Sequence, residues 1–309
     1  MFGRRPDGKK IKGVSGFDRM QALLVGKTRV DSSNQFGLDI LTDPLDEFIQ
    51  QKKAEDGTVY SYRDIVIATF VRSFYLRPRL NRFVVAGNFY QRKFIDVSMS
   101  VHKNLKGGGN ETTIKCRFTG KETIAEIKQQ LDAEIIRAVS SDNGTDKFVG
   151  GLTWMPTWVF RMFVGTLKFL DRFGFCSDKL LFKASPFHCS IFFADLKSIH
   201  LDTVWHHLYN FGNCGFFAAM SKEKKVAKVC PKTDQIKPAQ IVELGVSIDE
   251  RFIDGLYYTG MVKAIKRMFE NPSCLERVPE QDEILKLPLT PKQAKIEAKR
   301  KRRDEKKKK

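Results

Sequence analysis

The sequence is poor in the residues that build disulfide-linked or metal-bound proteins. It has six cysteines and five histidines in 309 residues, and no two cysteines form a C-x-x-C pair. With no recognisable signal peptide, this spacing predicts reduced thiols, no zinc site and a cytoplasmic location. No histidine cluster offers the three or four converging ligands that zinc needs, so no metal is expected. A run of about 20 uncharged apolar residues is also missing, so no transmembrane segment is predicted.

Positive charge is abundant but unevenly distributed. Of the net charge of +18, most lies in two tails: residues 292–309 hold eleven Lys or Arg with three acids, and residues 1–13 hold five with Asp7 alone. Two interpretations remain open, a solvated tail that aids solubility and a weak, salt-sensitive contact with nucleic acid or an anionic surface. No zinc-finger pattern or aromatic base-binding motif accompanies the charge, so no specific nucleic-acid ligand is expected.

Between the tails, the composition is that of a folded domain. Hydrophobic residues make up 42% of the chain and include 25 Phe, which excludes a wholly disordered protein. We predict a basic lead over residues 1–13 and one α/β domain over residues 14–275. A Pro-punctuated linker and a basic, disordered tail are predicted over residues 276–309.

Hydrophobic periodicity predicts a mixed β-sheet flanked by helices. Periods of three to four residues indicate helices at 17–26, 43–53, 61–75 and 123–139. Alternating patterns indicate strands at 34–41, 81–86, 88–95, 96–101, 112–118, 186–196 and 216–220. Ser221–Gln235 is polar and is predicted to be a hairpin loop.

The segment Trp154–Phe173 has an unusual pattern for a helix, because apolar residues cover nearly all of its sides. It belongs to a hydrophobic helical insert that we predict over residues 154–185. A buried helix, or a lid on the core, is the favoured interpretation. The alternatives are the wall of a hydrophobic substrate tunnel and an interfacial membrane helix.

The stretch around which the chain is organised runs from Gln240 to Phe269. Val242, Leu244, Val246 and Ile248 alternate with polar or small residues, which predicts a strand with one buried face. The turn 249–255 follows, with Asp254 placed to cap a helix that continues until Asn271 and Pro272.

The turn carries a resemblance to a known family. The segment Asp249-Glu-Arg251-Phe-Ile-Asp254-Gly255 is similar to the Asp-His-Arg-x-x-Asp-Gly signature of the acyltransferase component of 2-oxo-acid dehydrogenase complexes. In that family, which shares the chloramphenicol acetyltransferase fold, the His is the general base and the Asp orients the site. Here Asp249, Arg251, Asp254 and Gly255 are kept, and Glu250 occupies the position of the His.

Two further segments resemble the same family. Leu76–Asn81 contains a Pro-x-Leu-Asn element, and Pro186–Leu196 resembles the Thr-Phe-Thr-x-Ser-Asn-Leu-Gly strand whose last Ser donates a hydrogen bond to the oxyanion. In this alignment Ala194 replaces that Ser and Asp195 replaces the Asn. Ser190 is then the remaining candidate for a hydroxyl donor.

The resemblance implies a chloramphenicol acetyltransferase-like fold, coenzyme A as the acyl carrier and a homotrimer. In the trimer, the Glu250–Gly255 turn of one chain would face the Ser190–Leu196 strand of its neighbour. The substrate site would be lined by Asp249, Arg251, Gly255, Ala194 and Asp195. The Asp-Lys-Ala hairpin of a lipoyl domain is absent from the sequence, which makes an ordinary place in a dehydrogenase complex doubtful.

Acyl transfer needs a base for the thiol proton and a donor for the oxyanion. Moving a proton from a thiol to an ordinary His costs about 2.7 kcal/mol, and moving it to an ordinary carboxylate costs about 5.7 kcal/mol. Loss of one oxyanion donor lowers the rate by about 10²–10³. Two hypotheses follow: an acyltransferase with an atypical site, in which Glu250 is the base, and a non-catalytic relative that acts as a binding or assembly module.

For the turn itself, purely structural explanations also remain open. Asp254 would then serve as a helix cap, and Gly255 would provide a positive φ. Glu250 and Arg251 would form a surface ion pair.

Overall fold

Two β-sheets organise the chain in the computed structural model, which describes residues 5–102, 111–140, 156–177, 185–229, 234–253 and 255–280. The larger sheet has six strands in the order β2-β9-β8-β7-β5-β6. These strands are β2 (Ser33–Leu41), β5 (Ile95–His102), β6 (Glu111–Phe118), β7 (Ile191–Asp195), β8 (Phe216–Val229) and β9 (Ile236–Asp249). β7 runs parallel to both of its neighbours, β5 and β8, and the other pairs are antiparallel. The sheet is therefore mixed, as the sequence predicts.

A smaller antiparallel sheet lies early in the chain. Its strands are β1 (Gly8–Lys10), β3 (Arg82–Val85) and β4 (Asn88–Arg92), in the order β1-β4-β3. β3 and β4 form the predicted hairpin, which turns at Ala86 and Gly87, both with positive φ.

Helices cover one face of the large sheet. They are α1 (Gly16–Leu24), α2 (Asp43–Asp56), α3 (Tyr62–Leu76), α4 (Ile124–Ser140) and α6 (Gly255–Glu270), and α5 (Thr157–Phe173) is described below. α3 is buried along almost its whole length and packs against α4, α6 and β5. Its start is capped by Ser61, whose hydroxyl accepts from the Asp64 N–H while the Asp64 carboxylate accepts from the Ser61 N–H.

Alternation along β8 assigns its side chains to two cores. Phe216, Ala218 and Met220 join the main core under the helices, and Phe217 and Ala219 join a smaller cluster on the opposite face. On β9, Val242, Leu244, Val246 and Ile248 lie in the main core, which confirms the predicted pattern.

The polar segment after Met220 differs from the prediction of a hairpin loop at Ser221–Gln235. β8 continues to Val229 and β9 begins at Ile236, and the two pair from Glu223 with Val242 to Val229 with Ile236. A register irregularity lies between Met220 and Glu223. Because residues 223–229 of β8 and 236–240 of β9 are partly or fully exposed, this part of the ribbon lacks the buried apolar residues by which a strand is recognised in sequence. Residues 230–233 lie outside the described part.

The prediction of a buried helix at Trp154–Phe173 is wrong for the single chain. α5 begins at Thr157 and exposes its large side chains, with Trp158 68%, Met162 62% and Phe169 58% exposed. Asp171 is the buried residue of this helix. Trp154 and Met155 lie outside the described residues. No helix in the described part of the chain is long and apolar enough to cross a membrane.

Candidate functional site

The turn after β9 is held by its own ion pair. Asp249 is 1% exposed, and its two carboxylate oxygens accept from Arg251 Nε at 2.8 Å and Nη2 at 2.7 Å. The Asp249 carboxylate also accepts from the Arg251 backbone N–H at 3.2 Å, and the Asp249 N–H donates to Gly215 O at 3.0 Å. This arrangement turns the chain through a short 3-10 helix, Glu250–Phe252. The surface ion pair between Glu250 and Arg251 is therefore not formed, because Asp249 binds Arg251 inside the fold.

Glu250 lies on the outer side of the turn. Its backbone N–H donates to Ser32 O at 3.1 Å, and its carboxylate Oε2 accepts from Asn34 Nδ2 at 3.2 Å. The Gln21 side-chain amide of α1 lies 3.5 Å from the Glu250 carbonyl oxygen. The carboxylate is half-buried, so it is accessible at the edge of β2.

Two signature residues remain, Asp254 and Gly255, and the structure describes only the second. Asp254 lies outside the described residues. Gly255 is the first residue of α6, it is exposed, and its φ is not in the positive range. The expectation of a positive φ at Gly255 is wrong, because the helix begins at this residue.

The Ser190 side chain is buried and hydrogen-bonded within the fold. It is 2% exposed, its hydroxyl donates to Asn81 Oδ1 at 2.6 Å, and its oxygen accepts from the Asp96 N–H at 3.1 Å. Asn81 belongs to the Pro-x-Leu-Asn element, so these two family-like segments meet here. The hydroxyl therefore links the segment before β7 to β5 and to the residue before β3, and its hydrogen is donated within the fold.

Asp195, which follows Ala194 and ends β7, lines a cleft of about 540 Å³. The cleft is also lined by Tyr62 and Arg63 at the start of α3. Burial raises the pKa of Asp195, which nearby Arg63 opposes. The Asp195 Oδ1 atom is buried and has no hydrogen-bond partner among the described residues.

The two parts of the expected site do not meet within one chain. Asp195 is in register with Met220, and Met220 is in register with Leu244. Glu250 follows Leu244 by six residues, which is about 20 Å along a strand. Two strand spacings across the sheet, about 10 Å, add to this separation. Ala194 and Glu250 therefore lie at different ends of the central strands.

A buried polar network joins residues near the chain start, the end of α5 and the segment before β7. It was not predicted from the sequence. Arg5 binds the Asp7 carboxylate at 2.9 Å and the Asp171 carboxylate at 2.5 Å. His188 Nδ1 lies 2.6 Å from Ser185 Oγ, and its Nε2 atom is 3.2 Å from Asp171 Oδ1, without hydrogen-bond geometry. Burial lowers the pKa of His188, and Asp171 acts in the opposite direction. The network attaches the end of α5 to the fold.

The comparisons with known proteins concern the same elements. The model of the family 2-oxoacid dehydrogenases acyltransferase (catalytic domain) matches residues 216–276, which span β8, β9, the turn and α6. Solved structures are similar over most of the chain. A probable dihydrolipoamide acetyltransferase from Listeria monocytogenes 4b F2365 is 14% identical, covers 85% of this chain and 95% of its own, and has a TM-score of 0.54.

Two more solved structures are similar to most of the chain. The cubic core of a pyruvate dehydrogenase multienzyme complex is 12% identical and covers 86% of this chain and 94% of its own, with a TM-score of 0.55. A chloramphenicol acetyltransferase is 11% identical and covers 85% and 99%, with a TM-score of 0.52. The fold is that of the chloramphenicol acetyltransferase-like acyltransferases. No curated protein matches the sequence significantly.

This acyltransferase-like fold confirms the resemblance stated from the sequence and the predicted mixed sheet flanked by helices. The family match includes the strand, turn and helix that carry Glu250. Among the described residues, no group of three or more His, Cys, Asp or Glu is placed to hold a metal ion.

Proposed function

We propose that the chain is a coenzyme A-dependent acyltransferase with an atypical site, in which Glu250 takes the role of the family base. The observation that carries the proposal is the family match over residues 216–276, which includes the turn that carries Glu250. In the signature resemblance, Glu250 occupies the position of the His. The acceptor would be a thiol or another nucleophile.

The position of Glu250 suits a base better than the position of Asp249 does. Asp249 is buried and doubly hydrogen-bonded by Arg251, whereas the Glu250 carboxylate is half-buried and hydrogen-bonded by Asn34. An ordinary carboxylate is a poor acceptor for a thiol proton, by about 5.7 kcal/mol. Removing a carboxylate from water makes it a stronger base in general, so a partner surface packed over this turn would favour the reaction.

The proposal includes a homotrimer with the site between subunits. Within one chain, Glu250 and the Ala194 and Asp195 end of β7 are far apart along the central strands. A second chain that brings its β7 region to the turn would complete the site. Coenzyme A would then enter as the acyl carrier, and Arg251 and Gly255 would lie beside it.

A non-catalytic role is the second candidate, and two observations favour it. The Ser190 hydroxyl is used within the fold, and Ala194 has no side-chain donor for an oxyanion. A chain with this fold and no oxyanion donor would act as a trimeric binding or assembly module.

An acyl-transfer assay that resolves free coenzyme A from acyl-coenzyme A by chromatography separates the two candidates, because transfer to a thiol leaves the total number of thiols unchanged. Acetyl-, succinyl- and longer acyl-coenzyme A would be supplied with dihydrolipoamide to the wild type, Glu250→Gln and Glu250→His. We expect wild-type turnover that falls by about 10²–10⁴ in Glu250→Gln, because the base is lost. Glu47→Gln, on the exposed face of α2, is the matched control and keeps the wild-type rate.

Two results would contradict the enzyme proposal. Equal rates in the wild type and Glu250→Gln would remove Glu250 from the chemistry. No turnover in the wild type with any acyl donor would favour the binding module, and activity gained in Glu250→His would then show that the substrate channel persists.

A further inference from the structure

A basic cleft of about 300 Å³ opens beside Arg251. Lys27, Arg29 and Thr28 line it from the loop before β2, and Gly212 lines it from the loop before β8. The end of α5 completes the wall with a set of charged residues, namely Lys168, Asp171 and Arg172. Five cationic side chains thus surround the cleft with one carboxylate.

Two of these charges are already compensated. The Asp171 carboxylate binds Arg5 at 2.5 Å, and Arg251 binds Asp249 through two hydrogen bonds. The other four cations form no ion pair with any carboxylate in the described part of the chain. They are Lys27, Arg29, Lys168 and Arg172. A concave surface with an excess of one charge concentrates ions of the opposite charge.

Arg29 is the decisive residue, because it is buried without being fully bound. It is 8% exposed, and its Nη2 donates to Gly212 O at 2.5 Å. Its Nη1 is buried and has no hydrogen-bond partner among the residues that the structure describes. Burial lowers the pKa of Arg29, and Asp249 acts in the opposite direction. A guanidinium remains charged at neutral pH, so Arg29 contributes to the cleft that it lines a positive charge with no ion pair among the described residues.

We propose that this cleft binds an anionic group, a phosphate or a carboxylate carried by a small molecule. Arg29 supplies positive charge at the wall of the cleft, and Lys168 and Arg172 are the outer cations that attract the ligand. Planar guanidinium groups suit both anions, because they donate two parallel hydrogen bonds. The site lies within one chain and does not rest on the acyltransferase proposal.

Isothermal titration calorimetry on the full chain tests the proposal with two probes, inorganic pyrophosphate and succinate, at low and high salt. We expect saturable binding of at least one probe with one site per chain, and weaker binding at high salt. Removing a charged donor weakens such an interaction by about tenfold or more. Arg29→Gln and the double variant Lys168→Gln, Arg172→Gln are therefore each expected to bind at least about tenfold more weakly.

The double variant keeps the test valid if Arg29→Gln does not fold, since Lys168 and Arg172 are exposed. Lys53→Gln, an exposed lysine of α2, is the control for net charge and retains wild-type affinity. Preference for pyrophosphate identifies a phosphate ligand, and preference for succinate identifies a carboxylate ligand. No saturable binding of either probe in the millimolar range, or equal affinity in the cleft variants and the wild type, would overturn the proposal.

Discussion

At the residue scale, Asp249 and Glu250 are adjacent in sequence but meet different surroundings. The Asp249 carboxylate faces inward to Arg251, and the Glu250 carboxylate faces outward to Asn34. The buried pair fixes the turn, and the outer carboxylate is only half-buried. Because Arg251 is bound by Asp249, its charge is not available to neutralise Glu250.

Lys115 offers a test of how the polar interior is arranged. Burial lowers its pKa to about 8, and the ammonium group donates to the carbonyl oxygens of Ser185 and His188. In the unfolded chain a lysine titrates near 10.4, so between about pH 8 and 10.4 the unfolded state binds more protons. The free energy of unfolding therefore rises with pH across this window, and the destabilising effect is complete below it.

We predict a difference between the wild type and Lys115→Met that depends on pH. Between about pH 7 and pH 10.5, the wild type should gain roughly 3 kcal/mol relative to the variant. Urea unfolding at several pH values measures this gain, and the exposed Lys121→Met is the control, with no such gain expected. A difference that does not change with pH would show that Lys115 is not buried as described.

The candidate site was only partly predictable at this scale. The signature residues could be located, because strand, turn and helix patterns are local in the sequence. The engagement of Ser190 with Asn81 could not be predicted, because it joins residues that are far apart in the chain. The unpartnered Nη1 of Arg29 depends in the same way on packing between distant loops.

At the scale of elements, prediction from the sequence was accurate where an element has a buried apolar face. α3 and the buried half of β9 have strong apolar patterns, and both were predicted from sequence within a few residues. The ribbon of β8 and β9 beyond Met220 has no apolar face, so only backbone pairing defines it. α5 has the composition of a buried helix, and its exposure could not be inferred from one chain alone.

The loop before β8 gives a prediction for an element that positions the basic cleft. Gly212 has φ of 81°, and a Cβ there would lie 2.3 Å from Phe187 O. Gly212→Ala is predicted to lower the free energy of unfolding by about 2–4 kcal/mol, from backbone strain and overpacking. Chemical denaturation provides the measurement.

Gly57→Ala is the matched control for backbone strain alone. Gly57 has a similar φ of 75°, and a Cβ there would meet no atom within 4 Å. Its loss should be about 1 kcal/mol. Equal losses in the two variants would contradict the close approach of Phe187 to Gly212.

At the scale of the whole molecule, exposed apolar side chains accompany the incomplete site. α1 exposes Phe17, Met20, Leu23 and Leu24 at 53–75%, next to the turn that carries Glu250. α5 exposes Trp158, Met162 and Phe169. Contiguous apolar surface of this kind marks interaction sites. The fold as a whole was predicted correctly from the family-like motifs, whereas the assembly remains a prediction.

We propose that one chain provides the fold and only part of the site, and that a trimer completes it. Size-exclusion chromatography with light scattering at micromolar concentration tests this claim most directly. We predict the mass of three 35.4 kDa chains. The double variant Leu23→Glu, Leu24→Glu should dissociate, and Ile136→Glu, equally exposed on α4, should not. A monomeric wild type would contradict the account.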